Sequence, residues 1–318
     1  MIAVLGAGAF GTALAVTLAR SGKPVLLWAR NADHARAIAE SRINARRLPG
    51  IMLPDDITVS SVLPTSAEVI LLTIPMQTLS SGLRSFANCL DGSSVVACCK
   101  GIDLATGKGA AALIADACPR STAAILTGPS FALDIALGLP TALTLACEND
   151  EAGAALQNLI STQTLRIYRT KDVVGAQLGG ALKNVIAIAA GVVIGAGLGE
   201  SARAALLTRG YAEMVRAAKV WGAKGETLAG LSGLGDLVLT CTSDQSRNFR
   251  FGRALAENST FDPMITVEGV ATAQAMAKLA AQHGLDLPIT EMVAALTAGK
   301  VSLAHAIQSL LSRPLKQE

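Results

Sequence analysis

Short apolar runs alternate with amphipathic segments through the first half of the chain. The runs fall at 2–6, 25–29, 57–60, 69–74, 94–99, 123–127 and 141–147. Each is four to eight residues long and mostly apolar, as in strands covered on both faces. Between them lie segments of helical period, among them 11–20 and 32–42. This alternation predicts a parallel, doubly wound sheet. After about Asp172 the strand pattern stops. Ala- and Leu-rich helical stretches follow at 173–190, 202–218, 271–283 and 291–298, with a glycine-rich break at 230–235. The shift predicts an α/β domain over 1–172 and an all-α domain over 173–318. No internal repeat is visible, and only the last few residues read as a loose tail.

Composition narrows the class. The chain has 318 residues, a length suited to about two domains. It is 51% hydrophobic and 3% aromatic, so Ala, Leu, Val and Ile must fill the cores. The net charge of +3 is too mild to imply nucleic acid or an anionic membrane as partner. The six cysteines show no C-x-x-C spacing and the three histidines are scattered, so no metal site is expected. Met1 leads directly into an apolar strand, without a basic leader or cleavage site. The longest apolar stretch, 185–199, is bounded by Lys183 and Glu200 and is short for a membrane span. A cytoplasmic protein is expected.

The first turn carries candidate chemistry. Gly6-Ala7-Gly8-Ala9-Phe10-Gly11 fits G-x-G-x-x-G, directly after the first strand and at the start of a helix. Gly6 permits the tight turn, Gly8 lets a pyrophosphate approach the backbone, and Gly11 lets helix and strand pack closely. The N–H groups and dipole of the helix start favour phosphate. The N-terminal domain is therefore expected to be Rossmann-type. At the end of the second strand, where an NAD-restricted enzyme has an acidic residue for the ribose 2′-hydroxyl, stands Arg30. Its guanidinium suits a 2′-phosphate, which points to NADPH with NAD tolerated. The other reading is that Arg30 is a solvated charge and Asp33 serves the ribose.

Polar motifs punctuate apolar sequence in both halves. Lys100 and Gly128-Pro129-Ser130 follow buried strands, at whose carboxyl ends ligands bind in open α/β sheets. Lys183-Asn184 interrupts an otherwise apolar helix. A lysine among apolar neighbours has its charged form disfavoured, which suits proton transfer to an alkoxide. It could instead simply pair with a buried carboxylate, for which Asp236 is the candidate. Arg247 can hold phosphate oxygens bidentately with Asn248 beside it, although a lone S-R-N also reads as a polar surface turn.

These pieces together resemble bacterial NAD-dependent glycerol-3-phosphate dehydrogenases. The matching segments are GAGAFGTA at 6–13, CKG at 99–101, LTGPSFA at 126–132, GGALKNVIAIAAG at 179–191, LSGLGDLVLTCTSDQSRNFRFG at 231–252 and TVEGV at 266–270. They occur in order over nearly the whole chain. The resemblance implies a Rossmann-type domain joined to an all-α domain like that at the C-terminus of 6-phosphogluconate dehydrogenase. It implies Lys183 as the proton donor and Lys100 as a second lysine near substrate and nicotinamide. It implies Gly128, Ser130, Asp236, Ser246, Arg247 and Asn248 at the substrate. Ala9, Phe10, Arg30, Ala132, Arg247 and Glu268 would meet the cofactor. Ala9 and Phe10 stand where the family often has Ser and Trp, and Cys99 where it commonly has Ser.

The expected activity is interconversion of glycerol 3-phosphate and dihydroxyacetone phosphate with NAD(P)H, the helical domain closing a cleft over the substrate. The resemblance also implies a homodimer and a supply of glycerol 3-phosphate for phospholipid synthesis. Two alternatives remain at this point: a β-hydroxyacid dehydrogenase, which would not require the S-R-N phosphate pocket, and a non-catalytic NADPH-binding sensor, which would not require Lys183 and Lys100.

Overall fold

A computed structural model describes residues 1–311. The loose tail expected from the sequence falls at 312–318, outside the described residues. Eight strands form one sheet: β1 Ile2–Leu5, β2 Val25–Trp28, β3 Ile57–Ser60, β4 Val69–Leu72, β5 Ser94–Ala97, β6 Thr122–Thr127, β7 Thr141–Cys147 and β8 Leu165–Thr170. The helices interleaved with them are α1 Ala9–Arg20, α2 Ala32–Ser41, α3 Leu79–Leu90, α4 Ala110–Ala117, α5 Ala132–Leu137 and α6 Asp150–Ile160. Then follow α7 Val173–Gly195, α8 Gly199–Val220, α9 Gly225–Ala229, α10 Asp236–Cys241, α11 Arg247–Ala256, α12 Glu268–His283, α13 Pro288–Thr297 and α14 Leu303–Leu311. Leu231–Gly235, just before α10, forms a π turn.

The sheet order is β3-β2-β1-β4-β5-β6-β7-β8. β1 lies between β2 and β4, with Leu5 level with Trp28 on one side and Leu72 on the other. The order reverses direction at β1, and the turn leaving its carboxyl end is the glycine loop, the usual ligand position in such sheets. The sheet departs from the expected all-parallel arrangement at one seam. β6 and β7 run antiparallel, with Ile125 opposite Ala146, because the short α5 and the Gly138 turn return the chain too soon for a parallel crossover. β8 was not among the expected strands. Its Leu165 and Ile167 are buried while Arg166 and Tyr168 face outward, the alternation of an edge strand.

Contacts divide the chain into two units. The first comprises Met1–Lys100 and Lys108–Gln177; the second comprises Gly101–Gly107 and Leu178 onward. The later division falls within α7, between Gln177 and Leu178. In the first unit, side chains such as Val4, Leu27, Leu71 and Val96 meet α1, α5 and α6 on one face of the sheet. Leu5, Ile70, Leu72 and Val95 meet α3 and α4 on the other. The second unit is built around Leu182, Val185, Ile186 and Ile188 of α7, packed with Met214, Leu237, Phe249 and Met276.

The expectation of a short apolar segment is corrected for α7. Its 23 residues are long and apolar enough to cross a membrane, since the helix continues on the N-terminal side of Lys183. Its most apolar window is 89% buried within the protein, where it serves as a core helix.

Candidate functional site

In the first unit the glycine loop has the geometry its sequence requires. Gly6 adopts φ +129°, and a Cβ there would lie 2.8 Å from Thr73 Oγ1. A Cβ on Gly11 would lie 2.1 Å from the Gly6 carbonyl oxygen, so the turn and α1 can approach only as glycines. Around Gly8 nothing comes within 4 Å of the corresponding position. Gly8 is the N-cap of α1 and supplies no capping side chain. The first N–H groups of α1 thus open a helix start with room in front of it, which fits a dinucleotide pyrophosphate. Thr73 Oγ1 donates to the Gly6 carbonyl at 2.8 Å and fixes the turn from β4. Phe10 is half-buried and packs on the core, as does Ala132 at the start of α5.

Arg30 is exposed beyond β2, one residue before Asn31, whose side chain caps α2 by accepting from His34 N at 2.7 Å. Asp33, the alternative ribose partner, is exposed in the first turn of α2 and lies 3.4 Å from Arg36. Past β5 and β6, Lys100 and Ser130 converge on one acceptor. Lys100 Nζ donates to the Gly128 carbonyl at 3.1 Å and Ser130 Oγ donates to the same oxygen at 3.2 Å. The Cys99 thiol lies 3.8 Å from Met76 Sδ, so the residue that replaces the family's Ser points a soft, weakly polar group at a core methionine.

In the second unit Lys183 is buried at the middle of α7. Its Nζ lies 3.0 Å from Asp236 Oδ1 and donates to Thr240 Oγ1 at 2.7 Å. Thr240 in turn donates to Asp236 Oδ1 at 3.2 Å, one helical turn along α10. Asp236 is 1% exposed. The alternative in which Lys183 meets a buried carboxylate is therefore realised as a contact. Burial works against the ammonium and the adjacent carboxylate works for it. The same surroundings bury Cys241, whose thiol is held well above its usual range by desolvation.

The S-R-N segment is a helix start. Ser246 is the N-cap of α11, its Oγ accepting from Phe249 N at 3.2 Å, with Arg247 exposed as the first helical residue. Asn248 points inward: its Nδ2 donates to Asn184 Oδ1 at 2.9 Å and its Oδ1 accepts from Gly269 N at 3.0 Å. Its amide thus joins α7, α11 and the start of α12. That start is Glu268, which is half-buried. Paired glycines permit the closeness: a Cβ on Gly191 would lie 2.0 Å from the Phe249 carbonyl oxygen, and one on Gly252 1.9 Å from that of Ile188.

Thr240 and Asn44 escaped the sequence reading. Thr240 stands four residues after Asp236, a spacing that brings the two together on a helix. Asn44 lies in a loop with no motif. Among the described residues no three His, Cys, Asp or Glu gather as metal ligands.

Comparison with known proteins agrees with this geometry. Residues 1–153 match the model of the NAD-dependent glycerol-3-phosphate dehydrogenase N-terminus, and residues 172–308 that of the C-terminus. The chain is similar to the glycerol-3-phosphate dehydrogenase [NAD(P)+] of Cereibacter sphaeroides, 62% identical with all of both chains covered. It is 56% identical to that of Paracoccus denitrificans, covering 100% of this chain and 99% of the other. Among solved structures it resembles glycerol-3-phosphate dehydrogenase from Coxiella burnetii, with a TM-score of 0.92, 36% identity and 98% of each chain covered. A D-mandelate dehydrogenase at 16% identity and TM-score 0.65 shares the fold alone.

Proposed function

Because the chain belongs to the NAD-dependent glycerol-3-phosphate dehydrogenase family, we propose that it reduces dihydroxyacetone phosphate to glycerol 3-phosphate, and the reverse, with NADPH and more weakly with NADH. The observation that carries this reading is the buried Lys183–Asp236–Thr240 cluster. A sensor that only binds dinucleotide has no use for a buried lysine held by two polar partners. When bound, the nicotinamide supplies the hydride. The chain's residues do the rest. The glycine loop holds the pyrophosphate, and Arg30 pairs the 2′-phosphate. Lys183 Nζ gives a proton to the carbonyl oxygen during reduction and recovers it in oxidation, while Asp236 and Thr240 fix its direction. Lys100 and Ser130 are assigned to substrate, oriented through the Gly128 carbonyl.

Arg247 is assigned to the substrate phosphate. An exposed guanidinium at the first turn of α11 adds a charged fork to a helix start that already favours anions. The family favours a phosphorylated ketone as the anion met here, over the carboxylate of a β-hydroxyacid. Gly128, Asp236, Ser246 and Asn248 complete the substrate assignment, and Ala9, Phe10, Ala132 and Glu268 that of the cofactor. Residues 1–172 are read as the cofactor domain and 173–318 as the substrate domain. We further place the enzyme in the cytoplasm as a homodimer that supplies glycerol 3-phosphate to phospholipid synthesis. The test is NADPH absorbance with dihydroxyacetone phosphate as the only acceptor. Oxidation at a rate well above the no-substrate background is expected. No oxidation alongside intact NADPH binding would leave the sensor, and activity only on a β-ketoacid would leave the β-hydroxyacid enzyme.

A further inference from the structure

Asn44 is 0% exposed and lies in the loop between α2 and β3, outside every motif assigned above. Its Nδ2 donates to the Ala7 carbonyl at 3.0 Å and to Thr12 Oγ1 at 2.8 Å. Ala7 is inside the glycine loop and Thr12 is in the first turns of α1. A carbonyl can only accept, so the amide face towards Ala7 must be the NH2 group. The other face, Oδ1, lies 3.1 Å from His34 Nε2, which must then carry the proton of that bond. His34 is in the first turn of α2, and its backbone N–H donates to Asn31, adjacent to Arg30. One amide therefore joins the loop that would cradle pyrophosphate to the helix start beside the residue that would read the 2′-phosphate.

The loop carrying Asn44 is itself held firmly. Leu48 N donates to the Asn44 carbonyl at 2.8 Å, and Leu53 N donates to that of Arg42 at 2.8 Å. The Arg42 guanidinium donates to the Ile57 carbonyl at 3.0 Å, at the start of β3, and also to that of Pro54. Asn44 is thus presented from a braced segment. Each of the three hydrogen bonds is buried or partly buried, where loss leaves a desolvated group without a partner.

We propose that Asn44, through His34, is a positioning residue for the dinucleotide. It sets the separation between the pyrophosphate loop and the 2′-phosphate end, so that both ends of NADPH are met at once. The inference rests on the reading of the glycine loop and Arg30 as the cofactor site. It predicts a distinctive pattern for Asn44→Ala and Asn44→Leu. The Kd and KM for NADPH rise about 10-fold or more. The KM for dihydroxyacetone phosphate and kcat at saturating NADPH stay within about twofold. Adenosine 2′-monophosphate, which carries the 2′-phosphate and no part of the pyrophosphate, loses much less affinity than NADPH.

The experiment is titration of NADPH and of adenosine 2′-monophosphate into the full-length wild type, the Asn44 variants, His34→Ala and His34→Gln, with steady-state kinetics on each. His34→Ala is expected to weaken NADPH. His34→Gln, whose side-chain N–H can take the place of Nε2–H, is expected to restore most of the loss. That pair carries the test if the Asn44 variants do not fold. Equal weakening of NADPH and adenosine 2′-monophosphate, a fall in kcat with NADPH affinity unchanged, or a His34→Gln variant no better than His34→Ala would overturn the proposal. A wild-type chain that bound neither probe would overturn the cofactor reading along with it.

Discussion

Lys183 and Asp236 form a buried ion pair, with Nζ 3.0 Å from Oδ1 and Thr240 bonded to both. A buried pair of this kind is poor evidence of stabilisation, because desolvating two charges offsets most of their attraction. Removing one partner leaves the other buried and uncompensated. Asp236→Leu alone should therefore destabilise by about 3–5 kcal/mol. Lys183→Met with Asp236→Leu should recover most of that loss while turnover stays absent. Thermal unfolding and NADPH oxidation, measured on the single and double variants, separate the two roles. If the double variant were as unstable as Asp236→Leu, the pair would be holding the fold together.

The proton-transfer role has its own test. Lys183→Ala should lower kcat by about 10²–10⁴-fold, the usual contribution of general acid catalysis. Cofactor binding should change little, since Lys183 is not among the residues assigned to the dinucleotide. A variant that kept most of its rate would remove Lys183 as the proton donor.

Arg30→Asp should turn preference towards NADH. The change removes a partner for the 2′-phosphate and supplies an acceptor for a 2′-hydroxyl. The measurement is kcat/KM for both cofactors in wild type and variant. Arg30 is exposed and Asp33 lies near Arg36, so neither residue is already committed to a buried structural role. An unchanged ratio would make Arg30 a solvated charge.

The chemistry-bearing residues were legible where they broke a strong local pattern. A glycine triplet directly after an apolar strand has one economical reading, and a lysine inside an apolar helix stands out. β8 was less legible because half of its residues are polar, as an edge strand requires. The antiparallel seam at β7 was hidden for a different reason: apolar runs specify burial, and strand direction follows from the length of the connection. Asn44 and Glu213 carry no sequence signal, since each acts on backbone groups distant in the chain. Asn248 reads as part of a ligand motif, and its bonds to Asn184 and Gly269 carry no sequence signal of their own.

Glu213 is 3% exposed on α8 and accepts from Ile289 N at 2.6 Å, Thr290 N at 3.2 Å and Thr290 Oγ1 at 3.1 Å, at the first turn of α13. Burial raises its carboxyl above the usual 4.5, although these donors pull the other way. A carboxyl raised on folding contributes stability below its unfolded pKa, and that contribution is lost as pH rises through the folded value. The wild type should therefore lose stability relative to Glu213→Gln as pH rises above about 4.5. Glu213→Ala, which leaves two N–H groups of α13 without their acceptor, should lose about 1–3 kcal/mol for each. Melting temperatures measured from about pH 4 upward decide the matter. A difference between wild type and Glu213→Gln that did not change with pH would show that Glu213 does not titrate there.

Arg247→Leu tests the phosphate assignment by selectivity. Arg247 is the exposed first residue of α11, whose N-cap is Ser246. Only a phosphorylated substrate can use its guanidinium fork. A hydrogen bond to a charged group contributes about 1.5–3 kcal/mol, or roughly 10- to 150-fold in kcat/KM for dihydroxyacetone phosphate. Dihydroxyacetone, which lacks the phosphate, should lose little. Because Arg247 is also assigned to the cofactor, the Kd for NADPH must be measured in the same variant. The inward neighbour Asn248 provides a contrast. Its amide joins α7, α11 and the start of α12, so Asn248→Ala should lower the melting temperature as well as activity. If Arg247→Leu behaved in that way, with both substrates equally affected and NADPH binding intact, Arg247 would be a structural residue and the phosphate would be held elsewhere.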